Sequence, residues 1–67
     1  MNFTPHNIFD YRDREYAAKY GYLTFRLYAD GWLVRFTPFD NTAGIRSETI
    51  EGQDVTAACA FANARLA

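Results

Sequence analysis

Residues 20–39, which read YGYLTFRLYADGWLVRFTPF, constrain the fold of this chain more than any other segment. Two runs of alternating apolar residues flank Asp30-Gly31, and this arrangement is the strongest short-range signal for a hairpin with a two-residue turn. The pattern therefore predicts antiparallel strands over residues 22–29 and 32–39, with Ala29 opposite Trp32.

The same alternation divides the predicted hairpin into two faces of different character. One face is entirely apolar and contains Leu23, Phe25, Leu27, Trp32, Val34 and Phe36. On the other face, the predicted register places Arg26 directly opposite Arg35, and like charges in that position destabilise a strand pair. The second face therefore needs an explanation beyond folding.

Helix-favouring composition precedes the hairpin. Residues 10–19 predict a first helix, for which Pro5, Asn7 and Asp10 are alternative starting points, and Gly21 is well placed to end it. This helix would present a narrow, tyrosine-rich apolar stripe.

A third strand and a second helix are predicted after the hairpin. Residues 40–44 have the composition of a turn, and residues 45–51 that of a strand with two possible inward-facing sets. The sets are Ile45, Ser47 and Thr49, or Arg46, Glu48 and Ile50. Residues 54–66 predict an alanine-rich helix with Asp54 as its N-cap, slim enough to pack closely on the bulky apolar face. The predicted fold is a single α+β domain over residues 1–67, with element order α-β-β-β-α and a three-stranded antiparallel sheet.

Length and aromatic content favour an interaction domain. A chain of 67 residues lies near the lower size limit for a domain that folds without disulfides or a bound metal. Its content of 49% hydrophobic residues argues against disorder. Six Phe, five Tyr and one Trp make up 18% of the chain. Because a domain of this size buries only about 60% of its unfolded surface, some rings should remain exposed, as is typical of protein interfaces.

Charge and cysteine content limit the cellular compartment and the kind of partner that we expect for this chain. The net charge of −1 gives no general attraction to nucleic acid, and the lone Cys59 fits a reducing compartment. No apolar run is long enough for a membrane span, and the first residues lack the pattern of a signal peptide. We therefore expect a cytoplasmic protein without membrane contact, located in the host cytosol if it is phage-encoded.

Two segments resemble double-stranded-RNA-binding domains. Residues 15–21 (EYAAKYG) resemble the end of the first helix of that family, and residues 57–66 (AACAFANARL) its alanine-rich second helix. The resemblance implies the α-β-β-β-α fold. It does not imply RNA binding, because residues 51–55 (EGQDV) are acidic where the family has a lysine cluster. In addition, a tight turn at Asp30-Gly31 replaces the longer loop that reaches a minor groove.

The second hairpin face is the main candidate binding site. Two guanidinium groups among aromatic rings can hold a carboxylate or phosphate and stack on planar groups. The predicted partner-binding residues are Tyr22, Arg26, Tyr28, Leu33, Arg35 and Phe39. Two other interpretations remain open: Glu48, Asp13 or Glu15 neutralises the arginines, or the register differs and the arginines are not opposed.

A second candidate patch lies in residues 10–16, where charges alternate. Tyr11, Arg12 and Arg14 are predicted to contact a partner from this segment. The alternative is a solvated helix face with internal ion pairs.

Catalytic residue patterns are lacking in the sequence. His6 has no nucleophilic or acidic neighbour at a telling spacing, and Cys59 on an apolar stripe indicates a small buried side chain. The glycines stand singly, so no phosphate-cradling loop is predicted. We expect no enzymatic activity, no cofactor and no metal.

Three functions are compatible with these features. The first is a protein-binding module that blocks a host protein or nucleoprotein complex, because small size and absence of motifs are similar to those of phage anti-CRISPR inhibitors. The second, disfavoured by charge, is single-stranded nucleic-acid binding on the tyrosine and arginine face. The third is a structural or regulatory homodimer, so the chain is expected to be a monomer or homodimer.

Overall fold

A computed structural model describes residues 2–40 and 44–66 as one antiparallel sheet with a helix on one face. The four strands follow one another in space as in sequence, in the order β1-β2-β3-β4. The elements are a 3-10 helix Ile8–Tyr11, β1 Glu15–Ala17, β2 Gly21–Tyr28, β3 Gly31–Pro38, β4 Glu48–Gly52 and α1 Val55–Ala64. The α+β class is confirmed. Most of the predicted 40–44 turn, residues 41–43, lies outside the described residues.

The predicted first helix is wrong. Only Ile8–Tyr11 is helical, as one short 3-10 turn, and Glu15–Ala17 pairs with β2 as an added strand. At the junction, Asp13 takes a positive φ of 60°, its N–H donates to the Phe25 carbonyl, and the Phe25 N–H donates to Arg14. Pairing with β2 and packing of Tyr16 on the core outweigh helix propensity, which differs by only tenths of a kcal/mol per residue.

The hairpin is present, but its register differs by two residues from the prediction. Tyr28 lies opposite Gly31, so Ala29 and Asp30 form the turn. Gly31 belongs to β3 with a φ of 138°, and a Cβ there would lie 2.4 Å from the Gly52 carbonyl oxygen. The glycine is therefore required by the close approach of β4, rather than by a position in the turn.

The core lies between the sheet and α1. Leu23, Phe25 and Val34 are fully buried, and Trp32 and Phe36 are 4% exposed, so five members of the predicted apolar face are confirmed as core, whereas Leu27 is 37% exposed. α1 begins as predicted, because the Asp54 carboxylate accepts a hydrogen bond from the Ala57 N–H at 3.1 Å. Its buried residues are Ala58, Cys59 and Ala62, whose small side chains allow close packing on the sheet. We call this side of the sheet the helix side.

The N-terminal segment completes the helix side. Phe3 is 2% exposed and its ring meets Phe25 at a centroid distance of 4.9 Å. The Asn63 side chain holds the main chain of Phe3 with two hydrogen bonds: it accepts from the N–H at 2.7 Å and donates to the carbonyl at 2.9 Å. One amide side chain of α1 thus fixes a segment 60 positions away.

The last strand is shorter than predicted and its orientation is now defined. β4 comprises Glu48–Gly52, with Glu48 opposite Phe36 and Ile50 opposite Val34. Residues 48 and 50 therefore lie on the helix side, and Thr49 and Glu51 lie on the other. Of the two alternatives left open by the sequence, the set with Glu48 and Ile50 faces inward within β4. Arg46 of that set is exposed before the strand, and Ile45 of the other set packs against the core.

Candidate functional site

The sheet face opposite α1 is the candidate site, and we call it the open face. None of its members is buried, whereas the helix side supplies the core. By strand alternation and register the open face consists of Glu15, Ala17, Tyr22, Thr24, Arg26, Tyr28, Leu33, Arg35, Thr37, Thr49 and Glu51. A shift of two residues keeps every side chain on its face, so Tyr22, Arg26, Tyr28, Leu33 and Arg35 remain on this surface, whereas Phe39 lies just beyond β3.

The two arginines are not directly opposed. Arg26 lies opposite Leu33, and Arg35 lies opposite Thr24. They are diagonal neighbours, for which the distance between Cβ atoms is about 7–8 Å. The predicted repulsive pair is therefore wrong, because the turn begins one residue earlier than Asp30-Gly31 implies.

Each arginine has a different electrostatic environment. Arg26 Nη1 lies 3.3 Å from the Asp13 carboxylate, and both side chains are largely solvated. An exposed pair of this kind contributes about 0–1 kcal/mol. For Arg35, the described residues provide no carboxylate within ion-pair distance.

Glu48 does not neutralise the open face. Its carboxylate forms an ion pair with Arg65 on the helix side. The Arg65 guanidinium also lies over the Phe61 ring, 3.7 Å from the centroid, and donates to the Phe61 carbonyl. Arg65, at the end of α1, is therefore the ion-pair partner of Glu48.

Exposed aromatic rings accompany the arginines. Tyr28 is 55% exposed near the turn, and Phe39, just beyond β3, is 64% exposed. The Phe39 ring lies 6.4 Å from that of Tyr22, at the other end of the hairpin. The open face thus has aromatic surface at both ends with the arginines between.

The second predicted patch is not part of this surface. The half-buried Tyr11 ring packs edge-on against Phe3 at 5.0 Å and belongs to the core cluster of the helix side. Arg12 and Arg14 border a shallow depression with Phe9 and Asp10, beside the 3-10 helix. The structure therefore places Tyr11 against the core and Arg12 and Arg14 beside the 3-10 helix.

The sequence analysis placed Thr24 and Thr37 on this face, but it did not identify Glu15, Thr49 or Glu51 as strand residues of the open face. Glu15 entered the face only because β1 exists, and Thr49 and Glu51 only because the orientation of β4 is defined. Residues 15–17 (EYA) show no alternation of polar and apolar residues, because both Tyr16 and Ala17 are apolar. Three residues are too few to distinguish such a strand from a helix turn.

Cys59 is the one thiol in the chain, and it is buried in α1. Burial raises its pKa above the ordinary cysteine value, which disfavours the reactive thiolate near neutral pH. Within residues 2–40 and 44–66, no three His, Cys, Asp or Glu side chains converge as a metal site.

We expect Cys59 to react with a disulfide reagent near neutral pH on the order of a hundredfold more slowly in the folded protein than in denaturant. The rate should increase as pH rises toward the raised pKa. A matched variant carries Cys59→Ala with Ala60→Cys, because residue 60 is exposed on the same helix. This control should react rapidly without denaturant. Equal rates in both proteins would contradict the buried position of Cys59.

Comparisons with known proteins add no family assignment: no family model, curated protein or solved structure matches this chain. Among the described residues, no helix is both long and apolar enough to cross a membrane.

Proposed function

We propose that this protein is a non-enzymatic protein-binding module whose open face occupies a surface of a larger partner. The observation that carries the proposal is an unburied sheet face that combines Tyr22, Tyr28 and Leu33 with two arginines. Tyrosine and arginine are, with tryptophan, the residue types enriched at the energetic centres of protein interfaces. Tyrosine contributes a large contact area while ordering only two side-chain torsions.

The charge balance of the open face favours a protein partner over nucleic acid. Arg26 and Arg35 share the face with Glu15 and Glu51, and Asp13 adds a further carboxylate beside Arg26. Single-stranded nucleic acids bind where aromatic rings line a positively charged groove. Mixed charges instead suit a partner surface that carries both signs.

We propose more specifically that this protein is a phage or mobile-element product that inhibits a host defence complex. Occlusion is the mechanism that fits a small, mixed-charge binding face, because it requires only a stable complex over the partner's working surface. The partner would be a host protein or nucleoprotein complex of the cytosol. Size and absence of catalytic motifs in the sequence support this, as in anti-CRISPR inhibitors.

The binding proposal is tested by comparing variants in a crosslinking capture from a bacterial host lysate. Tyr28→Ala and Arg26→Glu should each reduce recovery of the same partner by about tenfold, as expected for residues at an interface centre. Thr56→Glu is the matched control, since residue 56 is exposed on α1. Recovery that is unchanged in both open-face variants would contradict the proposed site.

The inhibitor proposal has a separate readout. Cells with an active CRISPR-type defence should be plated with a targeted phage, with and without expression of this protein. We expect more plaques when the wild-type chain is expressed than when it is absent. Expression of the Tyr28→Ala variant should give fewer plaques than expression of the wild type. Unchanged plaque number across several defence types would contradict inhibition without contradicting partner binding.

A mobility-shift titration with a short single strand at low ionic strength addresses the nucleic-acid alternative. We expect no shift, because the open face has no excess of positive charge. A shift that weakens steeply as salt rises would instead assign the face to nucleic-acid binding.

A further inference from the structure

The outer edge of β4 offers main-chain hydrogen-bonding groups that no described residue uses. The direction of these groups follows from Phe25, whose N–H and carbonyl bond Arg14 and Asp13 on the β1 side. In antiparallel strands successive residues direct their main-chain groups to alternate sides. Arg26 and Leu33 therefore bond each other, and Val34 bonds Ile50.

Thr49 and Glu51 consequently direct their N–H and carbonyl groups away from the sheet. Both residues are exposed, and β4 is the last strand of the sheet. No hydrogen bond from the described part of the chain satisfies these groups. They form the edge at which another strand can add.

Two opposite charges near this edge lack ion-pair partners among the described residues. Arg35 lies opposite Thr49, and Glu51 lies two positions along β4 on the same open face. The ion pairs within the described residues join other side chains, Arg26 with Asp13 and Arg65 with Glu48. A charged edge discourages indiscriminate strand addition, so the added strand should bring a cation for Glu51.

A second copy of this chain meets that requirement. When β4 pairs antiparallel with β4 of a second copy about Ile50, Thr49 bonds Glu51 of the second copy, and Glu51 bonds its Thr49. Across the new sheet, Arg35 and Thr49 of the first copy then form one row with Glu51 of the second copy. Two strand spacings are roughly 10 Å, which these two long side chains can bridge above Thr49. Ile50 meets its symmetry mate on the helix side.

We propose that this protein forms a two-fold homodimer through the β4 edge, with one continuous eight-stranded sheet and two reciprocal Arg35–Glu51 ion pairs. The charges select this register. A two-fold centred on Thr49 would place the Arg35 residues in one row, and one centred on Glu51 would oppose the two carboxylates. Pairing about Ile50 places no like charges in one row and gives each Glu51 an Arg35 in its row, while the two Glu51 residues are only diagonal neighbours, about 7–8 Å apart.

The dimer is independent of the proposed function, although it extends the binding surface. Both open faces lie on the same side of the continuous sheet, so a partner could contact twice the area. Tyr28→Ala should leave the dimer intact while reducing partner recovery. A result that contradicts partner binding therefore does not contradict the dimer, and a result that contradicts the dimer does not contradict partner binding.

Sedimentation equilibrium of the full chain over a range of concentrations tests the dimer. We expect a reversible equilibrium between the masses of one and two chains. Thr49→Pro should give the mass of one chain, because proline removes an outward N–H that the folded monomer does not use. Circular dichroism matching the wild type would show that this variant remains folded.

Charge reversal supplies a second measurement that does not depend on proline. Arg35→Glu or Glu51→Arg alone should weaken dimerisation by about tenfold, since each places like charges in both rows. The double variant should restore it. Arg26→Glu makes the same charge change elsewhere on the open face and should leave dimerisation unchanged.

A mass of one chain at every concentration up to the millimolar range would overturn the proposal. A dimer that persists in folded Thr49→Pro, or charge reversals that do not compensate in the double variant, would overturn the assigned edge and register.

Discussion

Replacement of Gly21 by alanine should lower the free energy of unfolding by about 3–5 kcal/mol, the range of severe backbone and packing conflicts. An ideal Cβ on Gly21 would lie 2.2 Å from the Thr37 carbonyl oxygen and 2.7 Å from the Pro38 Cα. Both obstacles are main chain of the paired strand, which cannot move aside without breaking the β2–β3 register. Since a domain of this size has about 5 kcal/mol of total stability, much of the variant should be unfolded.

Urea unfolding followed by circular dichroism measures this effect against a matched glycine. Gly44 has a φ of 71°, and no atom of the described residues lies within 4 Å of an added Cβ. Gly44→Ala should therefore lose only about 1–2 kcal/mol, the cost of the left-handed conformation for alanine. Equal stability losses in the two variants would contradict the close approach at Gly21.

Phe3→Ala is expected to have a similarly large effect, about 3–5 kcal/mol. Phe3 is 2% exposed and its ring lies within 5.3 Å of the rings of Tyr11, Tyr16 and Phe25. Its removal leaves a cavity under the first two strands. Alanine keeps the main-chain N–H and carbonyl that Asn63 bonds, so the expected loss comes from the ring packing.

Phe9→Ala is the matched control for Phe3→Ala. Phe9 is 45% exposed and contacts Trp32 at the rim of the core. The same chemical change there should lower stability by about 1 kcal/mol, because less apolar surface leaves water when the protein folds. The difference between the two midpoints in urea is the measurement. If the order were reversed, the N-terminal segment would not be a core element.

These two predictions concern features that the sequence did not reveal. The sequence analysis treated Gly21 as the end of a helix, whereas it begins β2 in tight contact with β3. Phe3 falls in a polar stretch without periodicity, and its burial depends on Asn63. Neither contact leaves a local pattern, because the residues that require it are distant in the chain.

In the candidate site, too, the sequence revealed some features and only the structure revealed others. Alternation identified Tyr22, Tyr28 and Leu33 as members of a second face, and their membership is confirmed. The sequence left open which acidic residue meets which arginine. The structure pairs Arg26 with Asp13 and Glu48 with Arg65, and only then do Arg35 and Glu51 stand out as charges without an ion-pair partner in residues 2–40 and 44–66.

The hairpin, its apolar face and the start of α1 at Asp54 were determined by the sequence alone. Each depends on local chemistry: side chains alternate along a strand, and an aspartate caps the residues that follow it. Tertiary structure decided that residues 15–17 form a strand and that the turn begins at Ala29. It also decided which sheet edge and charges remain available. These features depend on contacts between distant segments, such as Gly31 with Gly52, whose energies exceed local conformational preferences.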